Sequence, residues 1–482
     1  MGKKWKKNKA GNSHKKESSL PIITVAGMFV AVFLGMMVYI CHYSMTHRQE
    51  LINNSYNGRQ QMLIAKNIRG TIYSRKGEVL AETVTDEEGT EHREYPYRNL
   101  FAHGVGYASN GRAGVEAISN YYLIHSNAPL SQKAANDMAG EKYQGDSVYT
   151  TFDVELQQVA SQALGVYRGA IIVSEPATGK ILAMVSKPDF DPNQIAEIWP
   201  DMINDQETGT LLNRVTQGLY PPGSTFKIIT ALEYIRENSD TWQSYSYQCN
   251  GRFIDGTDRI NCYHGQNHGQ EDLKKSFAKS CNSSFANIGL KLDRSTFKNT
   301  LEGLLFNREL SISMTSGKSR IEVTADSSNA EMMQAAIGQG ATGMTPLHLN
   351  MITNAIANQG TAMEPYVVDR VENNVGTVIK QYTPSAYKKM MSETEANILK
   401  ELMQGVVESG TATRLKGLSY SAAGKTGSAE YNNVKEDSHA WFTGFAPVEE
   451  PQISVTIIIE GAGSGGDYAV PIAKRIFDAY FD

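Results

Sequence analysis

Residues 169–186 read GAIIVSEPATGKILAMVS, two apolar, β-branched runs separated by Pro176-Ala177-Thr178-Gly179, the signature of a β-hairpin. Comparable strand-like runs return near the other end of the chain, in SYSAAGKTGSAEY (419–431), HAWFTGFAPV (439–448) and QISVTIIIE (452–460). Between them, residues 208–415 carry mostly helical patterns broken by glycines, and AVPIAKRIFDAYF (469–481) closes the sequence as a helix. Strands at both extremities with helices between them predict one antiparallel sheet assembled from the two ends and faced by helices, an α+β arrangement. VELQQVASQALGVY (154–167) has apolar residues at helical spacing behind Asp153, a candidate N-cap, so the larger domain is expected to span 151–482.

Upstream of that domain, RGTIYSRKGEVLAETV (69–84) reads as two short extended runs around the Arg75-Lys76-Gly77 turn. Short strands and turns are expected up to about residue 150, making 42–150 a small, mostly β domain ahead of the larger one. Residues 20–41, LPIITVAGMFVAVFLGMMVYIC, contain no charge and as a helix are long enough to cross a hydrocarbon core about 30 Å thick. The first 19 residues hold seven Lys and one Glu, a net +6. A basic segment directly before an apolar span places residues 1–19 in the cytoplasm and all that follows Cys41 outside. A cleaved signal would have a shorter apolar region and a small-residue cleavage site, whereas CHYSMTHRQE follows here. Met1-Gly2 does not make a myristoylation signal, because Lys6 stands where that motif needs Ser or Thr.

The chain has 482 residues, 20% of them charged, with a formal net charge of −5. With +6 confined to the first 19 residues, the remainder carries −11. An acidic external domain argues against a nucleic-acid partner.

The chemistry is concentrated in Tyr220-Pro-Pro-Gly-Ser-Thr-Phe-Lys-Ile-Ile-Thr, where prolines and a glycine end one segment and Ser224 opens an apolar helix. Ser224 and Lys227 are three apart and share a helical face. A serine hydroxyl needs an adjacent base to become a nucleophile, and a buried lysine whose ammonium form is destabilised can supply one. A lysine placed between Phe226 and Ile228 in FKIITAL is costly to bury without a task. Further along come Ser280-Cys281-Asn282 and Lys425-Thr426-Gly427-Ser428.

In this order and spacing the three elements resemble the Ser-x-x-Lys, Ser-x-Asn and Lys-Thr-Gly set of penicillin-binding proteins and serine β-lactamases. RGTIYSRKGEVLA (69–81), REYPYRNLFAHGVGY (93–107), EPATGKILAMVSKPDFDPN (175–193), AIGQGATGMTPLHL (336–349) and HAWFTGFAP (439–447) extend the likeness to class B penicillin-binding proteins over nearly everything after the span. No glycosyltransferase-like segment precedes the small domain, which disfavours class A. The short pedestal and the lack of a C-terminal extension are similar to the small division-associated subgroup. The resemblance implies a membrane-anchored peptidoglycan D,D-transpeptidase with a pedestal and a β-lactamase-like catalytic domain. Ser224 would be acylated by a D-Ala-D-Ala stem peptide, and Lys227 would take its proton. Ser280 would relay a proton to the leaving amine with help from Lys425, and Asn282 would hold the substrate amide and orient Lys227. Thr426, Gly427 and Ser428 would bind substrate, the Ser428 hydroxyl meeting its carboxylate, with the oxyanion between the backbone N–H groups of Ser224 and Ser428.

Expected partners are stem peptides, β-lactams and a SEDS-type glycosyltransferase with other divisome or elongasome proteins, and no metal or cofactor is implied. Two departures stand out: Ser428 replaces the commoner Thr, and Ser74-Arg75-Lys76-Gly77 replaces an Asp-Arg-Asn-Gly turn. A membrane-bound β-lactamase or β-lactam receptor shares the serine chemistry but fits Ser280-Cys281-Asn282 less well. A non-catalytic scaffold would be expected to have lost at least one motif.

Other features read as structural. Gly461-Ala-Gly463-Ser-Gly-Gly466 satisfies GxGxxG, but the rest of a dinucleotide-binding unit is absent, so a glycine-rich turn is expected. His439 has no Gly-x-Ser-x-Gly elbow to serve and reads as a strand-end histidine with a structural hydrogen bond. Cys249 and Cys262 are close enough in sequence to pair. Together with His264 and His268 they match no standard zinc spacing, which favours a loop, with or without a cross-link.

Overall fold

The 169–186 hairpin pairs as read: Gly169–Ser174 and Ile181–Lys187 are antiparallel, and Gly169–Ser174 in turn lies beside Ile453–Ile459. In this computed structural model, which describes Gly2 and residues 20–47, 58–205, 207–310, 312–430 and 438–482, the chain divides into two compact units, Met1–Gly58 and Arg59–Asp482.

The first unit contains the helix Leu20–Thr46, five residues longer at its C-terminal end than the apolar run alone suggested. Its stretch Ile22–Thr46 is long and apolar enough to cross a membrane, and none of it is buried. Apart from Gly2, the basic segment 1–19 lies outside the described residues.

The second unit is built on two sheets. The five-stranded sheet runs Ala423–Glu430, Ser438–Ala446, Ile453–Ile459, Gly169–Ser174, Ile181–Lys187, antiparallel throughout and joining the two ends of the sequence as expected. Strand alternation divides its faces. Ser174, Ser454, Thr456 and Thr443 meet helix Pro346–Ala357 through Asn350, Thr353 and Asn354, for example Ser174 to Asn350 at 2.7 Å and Thr353 to Thr443 at 2.7 Å. Val455 and Ile457 project to the other face, where Val154–Leu164 and Val470–Phe481 pack against each other and the sheet. Asp153 caps the first of these helices, its side chain accepting from the Glu155 and Leu156 N–H groups.

The second sheet has six strands in the order Val378–Gln381, Val368–Glu372, Ser147–Thr150, Ile72–Tyr73, Val79–Thr85, Glu91–Glu94. Two of them come from far along the sequence, so the small β region is not contiguous: hairpin 368–381 completes it by pairing with Ser147–Thr150. The Arg370 guanidinium stacks 3.8 Å from the Tyr149 ring across that junction. Below it, buried Glu116 accepts from Arg69 Nε and Arg93 Nε, both at 2.7 Å.

Two stretches differ from the pattern reading. The region read as strands and turns also holds helices Gly114–Ile118, Asn120–Ile124 and Leu130–Ala139. None of the last helix's residues is buried, so no apolar stripe marks it. Within the part read as mostly helical, Tyr247–Cys249 pairs with Gly269–Glu271 and Arg252–Asp255 with Asp258–Asn261. These strands are too short for period-2 alternation to register.

Candidate active site

Ser224 lies in a single 3₁₀ turn, Gly223–Phe226, that leads into the helix Lys227–Glu237. Gly223 has φ +53°, and a Cβ there would come within 2.9 Å of the Ser428 carbonyl, so only glycine lets the turn rest on the strand Ala423–Glu430. Trp441 Nε1, from the neighbouring strand, donates to the Pro221 carbonyl at 3.1 Å and holds the approach to the turn. Tyr220 Oη donates to Glu460 at 2.7 Å, and the same carboxylate accepts from Arg214 Nε at 2.8 Å. Ser224 thus stands partly exposed on a turn fixed from behind.

One helical turn on, Lys227 is fully buried. Its Nζ donates to the Ser280 carbonyl and to Asn282 Oδ1, each at 2.7 Å, and lies 3.2 Å from Ser280 Oγ. Ser280 adopts φ +58°, an uncommon region for a residue with a side chain, and this turns both its carbonyl and its hydroxyl toward the lysines. Asn282 begins the helix Asn282–Lys291, and its Nδ2 donates to the Asn261 carbonyl at 2.9 Å. From the strand side, buried Lys425 donates to Ser280 Oγ at 2.9 Å and to the Thr426 carbonyl at 3.0 Å. Ser280 Oγ therefore bridges two lysine amines.

Neither amine is an ordinary lysine. Burial lowers the Lys227 pKa to about 8, against the opposing pull of Cys281, Cys262 and the Glu271 carboxylate. Burial also drives Lys425 well below its usual value, and the positive charge of Lys227 adds to the effect. Two amines with lowered affinity for protons, joined through one hydroxyl, make the arrangement that a general base and its relay require.

Ala423–Glu430 is the edge strand of its sheet, the kind of strand to which an extended peptide can add. Thr426 Oγ1 meets Thr411 Oγ1 at 2.5 Å, Gly427 passes the Pro222 carbonyl, and Ser428 Oγ accepts from the Gly465 N–H at 3.4 Å. At the strand's end, the Gln339 amide pairs with the backbone of Glu430, donating to its carbonyl and accepting its N–H, both at 3.1 Å.

The eight residues singled out in the sequence thus converge on this edge: Lys227, Ser280, Asn282 and Lys425 in one hydrogen-bonded group, and Ser224, Thr426, Gly427 and Ser428 along the turn and strand beside it. Sequence reasoning missed Thr411, Gln339 and the Glu460–Tyr220–Arg214 support. Gln339, Tyr220 and Glu460 fall in stretches quoted for other reasons, and Thr411 and Arg214 in none.

The decoys resolve as structural. His439 Nδ1 accepts from the Gly461 N–H at 3.2 Å, and burial lowers its pKa to about 4, leaving it neutral. The 461–466 segment is the turn between Ile453–Ile459 and the last helix, with φ above zero at Gly461 and Gly463.

Cys249 and Cys262 are free thiols with their sulfurs 3.7 Å apart. His268 and Cys281 join them, so that the donor atoms of all four lie within 4.8 Å of one another, a grouping the sequence reading missed by setting Cys281 apart.

Residues 169–478 match the penicillin binding protein transpeptidase domain, and residues 69–148 match the penicillin binding protein A dimerisation domain. The chain is 31% identical over 433 residues to the peptidoglycan D,D-transpeptidase PbpA of Mycolicibacterium smegmatis, covering 84% of this chain and 87% of that one. Among solved structures it is similar to the D,D-transpeptidase domain of a peptidoglycan glycosyltransferase from Eggerthella lenta, with 30% identity and a TM-score of 0.78 over 86% of this chain and 98% of that one. It is also similar to the ceftriaxone acyl-enzyme complex of penicillin-binding protein A from M. tuberculosis, with 25% identity and a TM-score of 0.79 over 88% of this chain and all of that one. With the transpeptidase match covering more than half its length, the chain belongs to the penicillin-binding protein transpeptidase family.

Proposed function

We propose that this chain is a peptidoglycan D,D-transpeptidase working through a Ser224 acyl-enzyme. Ser224 Oγ attacks the carbonyl carbon between the last two D-alanines of a stem peptide and passes its proton to the neutral Lys227 amine. The developing oxyanion is met by the backbone N–H groups of Ser224 and Ser428. As the C–N bond breaks, the leaving D-alanine nitrogen takes a proton through Ser280 Oγ, supplied from the two lysines on either side of it. The amine of a neighbouring stem then attacks the ester, the C–O bond to Ser224 breaks, and a cross-link remains. Asn282 holds the substrate amide and orients Lys227, while Thr426, Gly427 and Ser428 bind the extended peptide along the strand edge. A β-lactam enters by the same first step and stays as a stable ester.

The observation that carries this reading is the placement of the Lys227 amine. It is buried, depressed in pKa, and held by Ser280 and Asn282 one turn from Ser224. Supporting it, the resemblance in motif order extends to both the catalytic region, 151–482, and the pedestal, 42–150. The apolar helix serves as a single-pass anchor with residues 1–19 in the cytoplasm and the enzyme outside, where it partners a SEDS-type glycosyltransferase in division or elongation.

Labelling with fluorescent penicillin tests the chemistry. Wild-type protein should hold the label for hours, and Ser224→Ala should take up none while remaining folded by circular dichroism. Rapid release of the label would instead indicate a β-lactamase, and a folded wild-type protein that takes up no label would indicate a scaffold.

A further inference from the structure

We infer that Gln339 is a positioning residue for acylation: its amide stands in for a neighbouring strand at Glu430 and so sets the gap between the two oxyanion donors, the backbone N–H groups of Ser224 and Ser428. The inference rests on the transpeptidase reading above. Those donors stand on separate elements, the turn Gly223–Phe226 and the edge strand Ala423–Glu430. A developing oxyanion is stabilised only if both reach it at hydrogen-bond distance, so turn and strand must be held at a fixed separation.

Along a β-strand the N–H and C=O of one residue point to one side and those of the next residue to the other. Because the Gln339 amide takes both groups of Glu430, they face outward and not toward Ser438 on the paired strand. The pairing runs to Glu430 without a register shift, so Ser428, two residues earlier, turns its own N–H and C=O to the same outer side. Its carbonyl lies against the nucleophile turn, 2.9 Å from where a Cβ on Gly223 would stand. Glu430 is the next residue after Ser428 to share this direction, and it is the last of the strand. The end of an edge strand frays unless its outward groups are bonded. Bonding them at Glu430 steadies the Ser428 N–H two residues away.

The other end of the tie is short. The Gly338 carbonyl accepts from the Gly223 N–H at 2.9 Å, one residue before Ser224. A Cβ on Gly338 would come 2.2 Å from the Gly223 carbonyl, so only glycine allows that approach. The Gln339 N–H donates to the Gln334 carbonyl at 2.9 Å, and Thr230 Oγ1, on the helix Lys227–Glu237, donates to the Ala336 carbonyl at 2.8 Å. Two consecutive residues thus hold the turn through a backbone carbonyl and the strand through a side chain. A carboxamide suits the second task, since it offers a donor and an acceptor in one plane as a peptide group does. Glutamate in its place could accept the Glu430 N–H but would have no proton for the carbonyl.

The full chain in detergent carries the test. Gln339→Met keeps the length of the side chain and removes both bonds. At saturating penicillin it should slow acylation about 10- to 100-fold in stopped flow, with Gln339→Glu between it and wild type. Lost stability alone would also slow the reaction, so the deciding readout is the ester carbonyl stretch of the penicilloyl enzyme, taken by isotope-edited infrared spectroscopy. Two oxyanion donors draw that band to low frequency, and in Gln339→Met it should rise and broaden. In wild-type protein, where no variant has to fold, hydrogen exchange should find the Glu430 amide protected. An unchanged carbonyl band in Gln339→Met overturns the inference whatever the rate does, as does acylation at or above the wild-type rate. A wild-type Glu430 amide that exchanges as fast as an unpaired one overturns it too. Failure of the wild-type protein to be acylated at Ser224 would count instead against the transpeptidase reading, and the exchange measurement would still decide whether Gln339 ties the strand.

Discussion

Protonated, the Lys227 amine has no lone pair with which to take the Ser224 proton. Because burial holds its pKa at about 8, the neutral base accumulates as pH rises through that value. The acylation rate with a β-lactam, followed by stopped flow, should therefore climb toward pH of about 8 and level off above it. A rate that is flat or falls over that interval would show that Lys227 is not the base. Lys227→Ala should lose about 10²- to 10⁴-fold in acylation at unchanged fold. Ser224, Lys227, Ser280 and Lys425 were legible in the sequence because each lies in a short contiguous motif that keeps its spacing. Thr411 was not, since its hydroxyl reaches Thr426 only through the packing of a loop that carries no local pattern. Nor does a sequence announce that Ser280 takes a left-handed backbone to aim its hydroxyl.

Among the elements, the glycine-rich turn after Ile453–Ile459 is where a sequence pattern was read correctly but its purpose was not. It was expected only to reverse the chain, yet it lies against the catalytic strand. A Cβ on Gly465 would come 2.2 Å from the Trp441 carbonyl and 2.4 Å from that of Gly427. Gly465→Ala should push the turn off the strand, destabilising the protein by about 1–3 kcal/mol in denaturant titration and slowing acylation. An unchanged rate would show that the strand does not depend on this backing. The helix Val154–Leu164 shows the opposite case, because Asp153 was legible as its cap and performs that role. Asp153→Ala should cost about 1 kcal/mol in the same titration and leave acylation unaltered. Leu130–Ala139 was not legible, because a helix that buries none of its residues leaves no periodic trace.

Across the second unit, the two sheets are one construction. The pedestal sheet takes its fifth and sixth strands in sequence from hairpin 368–381, so residues 59–150 expressed alone should fail to fold, giving a random-coil circular dichroism spectrum. Residues 59–482 should yield a monodisperse protein that binds penicillin through Ser224. A stable, dispersed 59–150 fragment would refute the dependence. Within that sheet's support, Glu116 would by burial alone have a raised pKa, but the Arg69 and Arg93 guanidinium groups hold it below the usual carboxylate range. Its contribution is thus present above the ordinary carboxylate pKa and is lost as pH falls through the depressed one. Glu116→Gln should remove about 3 kcal/mol by leaving two arginines unpaired, read as a drop in Tm. The antiparallel catalytic sheet was legible because its strands are long and apolar. The loan of 368–381 was not, because strands of five and four residues declare their partners only once those partners are in place. Exchange of gene segments between related strains would feel this loan. A crossover that imported the codons for 59–150 without those for 368–381 would join strand edges never selected together, so viable mosaics should carry both stretches from one parent.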